Sequence, residues 1–129
     1  MVTRGHTSRP APAHVIDGPA QFEALAAPSS SSRVEALHVH FEAGSRTRWH
    51  THPRGQLLIV TAGAGWVQSR GRVPERIGAG DVVRIGAGEE HWHGAAAGTA
   101  MSHLAIQEHD GHGAADVLEA VTTGDYPRG

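Results

Sequence analysis

Three imidazoles and one carboxamide, those of His50, His52, Gln56 and His91, stand at intervals that let them share a single metal ion. In an extended strand, residues i and i+2 project to the same face, so His50 and His52 leave the backbone together. Gln56 follows across the short Pro53-Arg54-Gly55 turn, and His91 must arrive from a separate strand to close the set. Imidazole suits zinc, iron, nickel, copper and manganese, and an amide oxygen is a hard ligand. Four neutral ligands leave a dication its whole charge, which favours binding of an anionic substrate oxygen. No carboxylate offsets a higher oxidation state, so the pattern points toward non-redox chemistry.

The rest of the composition closes most other routes. Zero Cys excludes disulfides, thiolate nucleophiles and zinc ribbons. All eleven basic residues are Arg, so no Lys can form a Schiff base. The formal charge of −2 and the scattered Arg residues argue against nucleic acid as a partner. No apolar run approaches the ~18 residues needed to span a membrane, and the first residues lack the apolar stretch of a secretory signal. The expectation is a cytoplasmic protein. The eleven His residues are dispersed and are not a tag; His6, His14, His38, His40, His109 and His112 read as ordinary strand or surface histidines.

The elements that must position the four ligands are β-strands. At 129 residues the chain has room for one core. Residues 1–32 mix Arg, Pro, Ser and Thr without periodicity and are expected to form an irregular, partly disordered arm ahead of one domain over 33–129. Within the arm, Val15-Ile16 and Gln21 to Leu25 are compatible with a strand or a helical turn. From Val34 the period is two: Leu37, Val39 and Phe41 alternate with His38, His40 and Glu42. Gly63-Ala64-Gly65 predicts a hairpin between Gln56–Thr61 and Trp66–Gln68, and Gly80 and Gly88 mark later turns. About eight strands at intervals of ~8–12 residues predict a sandwich or barrel. Only residues 114–121, with Val117, Leu118 and Val121 on one face, predict a short C-terminal helix.

The run Gly44, His50-Thr51-His52, Gln56, Gly63 resembles the first motif of the cupin family, with Gln56 where Glu is usual. Gly80, Gly86-Ala87-Gly88, His91 resembles the second, with Gly86 where Pro is usual. Trp49 to Pro53, Leu58 to Gly63, Gly88 to Gly94 and Ala100 to Glu108 are similar to one bacterial group of small cupins, related to carboxymuconolactone-decarboxylase-associated cupins and including manganese-dependent hydroxynitrile lyases. The resemblance implies an all-β single cupin barrel, or jelly roll. It also implies one divalent ion on His50, His52, Gln56 and His91, manganese first and iron, zinc or nickel as alternatives, and a homo-oligomer, dimer or tetramer.

A general acid and base must stand beside such an ion. His93 shares the face of His91, and His103 is in phase with Ala105 and Gln107, opposite to Leu104 and Ile106. The resemblance makes His93 and His103 catalytic and Gln107 a pocket residue. Leu37 and Val39 should line the cavity wall, and Arg48, in phase with His50, is a further pocket candidate. Arg84 stands where the group carries an aromatic residue. The implied reaction is cleavage or synthesis of a cyanohydrin, a small-molecule substrate. A dioxygenase or a biosynthetic cyclase or isomerase on the same site, and a non-catalytic ligand-binding cupin, are the alternatives.

Overall fold

The computed structural model describes residues 2–129. Twelve strands follow in chain order: β1 Ser8–Pro10, β2 Ile16–Asp17, β3 Ala20–Ala26, β4 Val34–Phe41, β5 Arg46–Thr47, β6 His50–Thr51, β7 Gln56–Ser69, β8 Glu75–Gly78, β9 Val82–Ile85, β10 His91–Ala95, β11 Met101–Glu108 and β12 Asp116–Val117. One sheet runs β1-β3-β4-β11-β7-β9; the other runs β2-β5-β10-β7-β8, with β6 on β10 and β12 on β6. All pairings are antiparallel, giving the expected all-β cupin-type jelly roll. Much of the segment expected as an arm is paired, because Phe22 and Ala24 on β3 lie opposite Val39 and Leu37 on β4 and extend the apolar face.

Two local expectations are corrected. The hairpin predicted at Gly63-Ala64-Gly65 does not form; β7 continues through it for 14 residues and joins both sheets. Its glycines serve close approach. A Cβ on Gly65 would lie 2.0 Å from the Gly94 carbonyl oxygen, and Gly63, at φ +75°, would carry one 1.9 Å from that of Ala100. Just before this point Thr61 is skipped in the pairing, since Ser102 opposes Ala62 and His103 opposes Val60. Such a bulge bends the strand from one sheet into the other.

The predicted C-terminal helix is also absent. Asp116 and Val117 pair with Thr51 and His50, and on the same ladder the Leu118 N–H donates to the Trp49 carbonyl while the Trp49 N–H donates to that of Glu119. An eight-residue helix is marginal alone, whereas extended pairing satisfies the free edge of β6. The tail then buries Val121, Leu118 and Tyr126 against Trp49, Trp66 and Trp92. The main core, including Val39, Phe41, Leu58, Val60, Met101 and Ala105, fills the space between the sheets. Every residue of β10 is buried because it has core on both faces.

Replacing Gly63 with Ala should destabilise the protein by about 3 kcal/mol, through the left-handed backbone and the clash with Ala100. A urea midpoint equal to that of the wild type would show that β7 is not constrained there.

Candidate metal centre

Register brings the site together. In one sheet Glu35 (β4), Gln107 (β11) and Gln56 (β7) stand directly opposite one another. In the other, His50 (β6) opposes His91 (β10). His93 lies two residues further along β10, on the same face as His91, and His103 lies four residues from Gln107 on β11, again on one face. The two faces meet inside the barrel, where these histidines and both Gln residues are buried.

Three of the rings are fixed by main-chain carbonyls. Nδ1 of His50 donates to Arg48 O at 2.8 Å, Nδ1 of His91 to Glu89 O at 2.9 Å, and Nδ1 of His52 to Ala114 O. A carbonyl can only accept, so Nδ1 carries the proton in each. Burial holds all three rings below the usual histidine range: His50 well below, helped by neighbouring His91, and His91 down to about 4. A neutral ring protonated on Nδ1 has a bare Nε2. That of His52 is buried with no hydrogen-bond partner.

These rings converge. Donor nitrogens of His50, His91 and His93 all lie within 4.8 Å of one another. The His52 ring centre is 5.0 Å from that of His50 and 5.4 Å from that of His91. With the His91 proton given to Glu89 O, the Gln56 Oε1 that stands 3.0 Å from His91 Nε2 sets one lone pair against another. A cluster of lone pairs without protons between them is an arrangement that a cation relieves, so these residues fit a divalent metal.

His93 Nδ1 and His103 Nε2 are 3.0 Å apart and share one proton, which leaves His93 Nε2 and His103 Nδ1 without partners. Burial lowers both rings, His103 to about 4 and His93 well below the usual range with help from His103. Phe41 packs its ring on His103 at 5.3 Å and edge-on to His93 at 6.1 Å. Both histidines, with His50, His52 and Gln107, open into a cavity of about 240 Å³ walled by Phe22, Leu37 and Val39.

The predicted residues thus assemble with one exception. Arg48 does not line the cavity. The chain leaves the strand conformation at Arg48 and Trp49, so the alternation that put Arg48 in phase with His50 is broken, and Thr47 faces the cavity instead. Arg84 is exposed and away from the cavity. Sequence reasoning missed Ala114, whose carbonyl orients His52 from the tail, along with Phe41 and Glu35. It also left His109 as an ordinary histidine, whereas its Nε2 donates to Glu35.

Residues 37–106 match the family model described as a cupin domain. The chain is a member of the cupin family. This cupin is 50% identical over 117 residues, 91% of its length and 89% of the relative's, to an (R)-mandelonitrile lyase of Granulicella tundricola. It is similar to a cupin-like protein of known structure from Thermotoga maritima, with a TM-score of 0.86 and 36% identity over 91% of this chain and 89% of that one. The DMSP lyase DddQ from Ruegeria pomeroyi shares the fold, with a TM-score of 0.60 and 24% identity over 67% of this cupin and 44% of that chain.

The buried rings fix how stability depends on pH. They are neutral in the folded protein, while the unfolded chain takes up protons near the ordinary value of 6.5. The unfolded state therefore binds more protons between about 6.5 and about 4. Stability of the metal-free protein should be complete above that window and fall on acidification through it. Urea midpoints at pH 7.5, 6 and 4.5 should descend in that order; a flat series would mean the rings are not buried as described.

Proposed function

We propose that this cupin is a metal-dependent lyase of hydroxynitrile-lyase type, which cleaves and forms cyanohydrins of small carbonyl compounds. The observation that carries the reading is a proton-sharing histidine pair opening into the same cavity as His50 and His52, in a chain half identical to a mandelonitrile lyase. The cavity lies below the ~300–1,000 Å³ common for drug-sized ligands, which suits a small substrate.

His50, His52, Gln56 and His91 would hold the ion, with manganese our first assignment and iron, zinc or nickel the alternatives. His93 stands in one cluster with His50 and His91, but its ring partner is the titratable His103 rather than a fixed main-chain carbonyl, and we assign it to proton transfer. The ion would supply Lewis acidity that lowers the pKa of the substrate hydroxyl.

The chain's own residues do the rest. Phe22, Leu37 and Val39 hold the apolar substituent and exclude water. The His93–His103 pair, neutral at pH 7, accepts the hydroxyl proton at a bare ring nitrogen. As the carbonyl forms, the bond to the nitrile carbon breaks and the electron pair leaves with cyanide. The pair, then singly protonated, returns that proton to cyanide and is neutral again. One cyanohydrin gives one aldehyde and one hydrogen cyanide, and addition runs the same steps backward.

Cyanide release from mandelonitrile should vanish with a chelator and return best with Mn²⁺ in an add-back series. His103→Ala should lower turnover by about 10²–10⁴-fold while leaving bound metal unchanged by elemental analysis. Unaltered turnover in that variant would remove His103 from proton transfer, and chelator-resistant cleavage would remove the metal from the reaction.

A further inference from the structure

The carboxamide of Gln56 can serve a metal only with its oxygen turned inward. An amide has nearly the same shape either way round, so something must fix its direction. Gln56 Nε2 donates to Gln107 Oε1 at 3.0 Å, and Gln107 Nε2 in turn donates to Glu35 Oε1. The three side chains are register partners on β7, β11 and β4, so the relay is a single cross-strand row. Both amides are buried, and either could be reversed without loss if the other reversed with it.

Glu35 breaks that symmetry. An ionised carboxylate has no proton to donate, so only the Nε2 end of Gln107 can face it. His109 Nε2 donates to the other carboxylate oxygen at 3.2 Å and holds it in place. At the opposite end the His91 ring favours the reverse direction, since its proton is on Nδ1 and it offers only a bare Nε2. Left to itself, that nitrogen would accept a hydrogen bond from a reversed Gln56. The observed contact of oxygen with bare nitrogen is therefore imposed by the row beyond Gln56.

We propose that Glu35 is a positioning residue for the metal centre: acting through Gln107, it holds the Gln56 oxygen toward the imidazoles and forbids the reversed amide that would close the site with an internal hydrogen bond. The inference rests on the metal-site reading above but is tested without catalysis.

Glu35→Gln supplies a donor at the end of the row. In the metal-free variant both amides reverse, Gln56 Nε2 donates to His91 Nε2, and the whole row is satisfied. Two effects of opposite sign follow. The metal-free variant is at least as stable as the wild type in urea, and its dissociation constant for Mn²⁺ rises about tenfold, the worth of one buried hydrogen bond that binding must break. A residue with only a scaffolding role would lower stability and affinity together.

The direction of the amide is read separately in ¹⁵N-labelled metal-free protein. A through-hydrogen-bond coupling between Gln56 Nε2 and His91 Nε2 should be absent in the wild type and present in Glu35→Gln. Its presence in the wild type, or its absence in the folded variant, overturns the proposal. So does a variant affinity for Mn²⁺ within twofold of the wild type. Should Glu35→Gln fail to fold, Gln107→Met cuts the same relay and should produce the coupling. A wild type that binds no Mn²⁺ defeats the metal-dependent lyase reading while leaving the coupling measurement on the relay intact.

Discussion

The centre of this protein is organised by where three protons sit. His50, His52 and His91 each give their single ring proton to a main-chain carbonyl, so each presents a lone pair to the barrel interior. Those carbonyls belong to Arg48, Ala114 and Glu89, in three separate segments of the chain. Moving any one segment would free a ring to turn or change tautomer, and the convergence would be lost. The long strand β7, the break at Arg48 and the extended tail matter for function because each sets one of these carbonyls or the side chain opposite it.

Burial and tautomer act in the same direction. Five imidazoles lie close together in the interior, His50, His52, His91, His93 and His103, and all are pushed below their ordinary range. Protonating one raises the cost of protonating the next, as the mutual repulsions of His50 with His91 and of His93 with His103 indicate. Positive charge therefore enters this space more readily as one ion shared by several lone pairs than as several protons. The same depression keeps the His93–His103 pair neutral near pH 7, the state in which it can take up a proton and later release it.

Much of this was legible in the sequence, and the reasons are local. Period-two alternation placed Leu37, Val39, His103 and Gln107 on inward faces, since strand phase survives wherever pairing is continuous. The motif intervals gathered His50, His52, Gln56 and His91 because turns of fixed length return strands to fixed register. What failed did so where a local signal has two physical uses. Gly63 and Gly65 read as a turn but serve backbone contact with Ala100 and Gly94. The apolar face at Val117, Leu118 and Val121 fits a helix, yet the unpaired edge of β6 draws the segment out. Arg48 kept phase on paper and lost it at a two-residue break. Ala114 and Glu35 carried no signal of their own, because a carbonyl has no sequence signature and a carboxylate at a strand's outer end looks like surface.

The choice of Gln at position 56 follows from the same accounting of protons and charges. A carboxylate there would orient itself, since both its ends accept, and it would lower the net charge of the filled site. On the proposed metal-dependent reading, a carboxamide would leave a dication's charge intact for a substrate oxygen, but a carboxamide is directionally ambiguous. Resolving the ambiguity takes an acceptor-only group, and a carboxylate touching the metal would cancel the benefit of removing one. The geometry meets the two demands only in part: the negative charge is held at Glu35, two amides away from the Gln56 oxygen and 25% exposed, yet on the wall of the same cavity and within electrostatic reach of His52. Orientation passes along the hydrogen bonds, because each link fixes the polarity of the next, while the field of the charge weakens over the same path. The direction of the donor atom is thus set by a carboxylate that is not itself one of the proposed ligands, a division of labour that a single glutamate ligand would not allow.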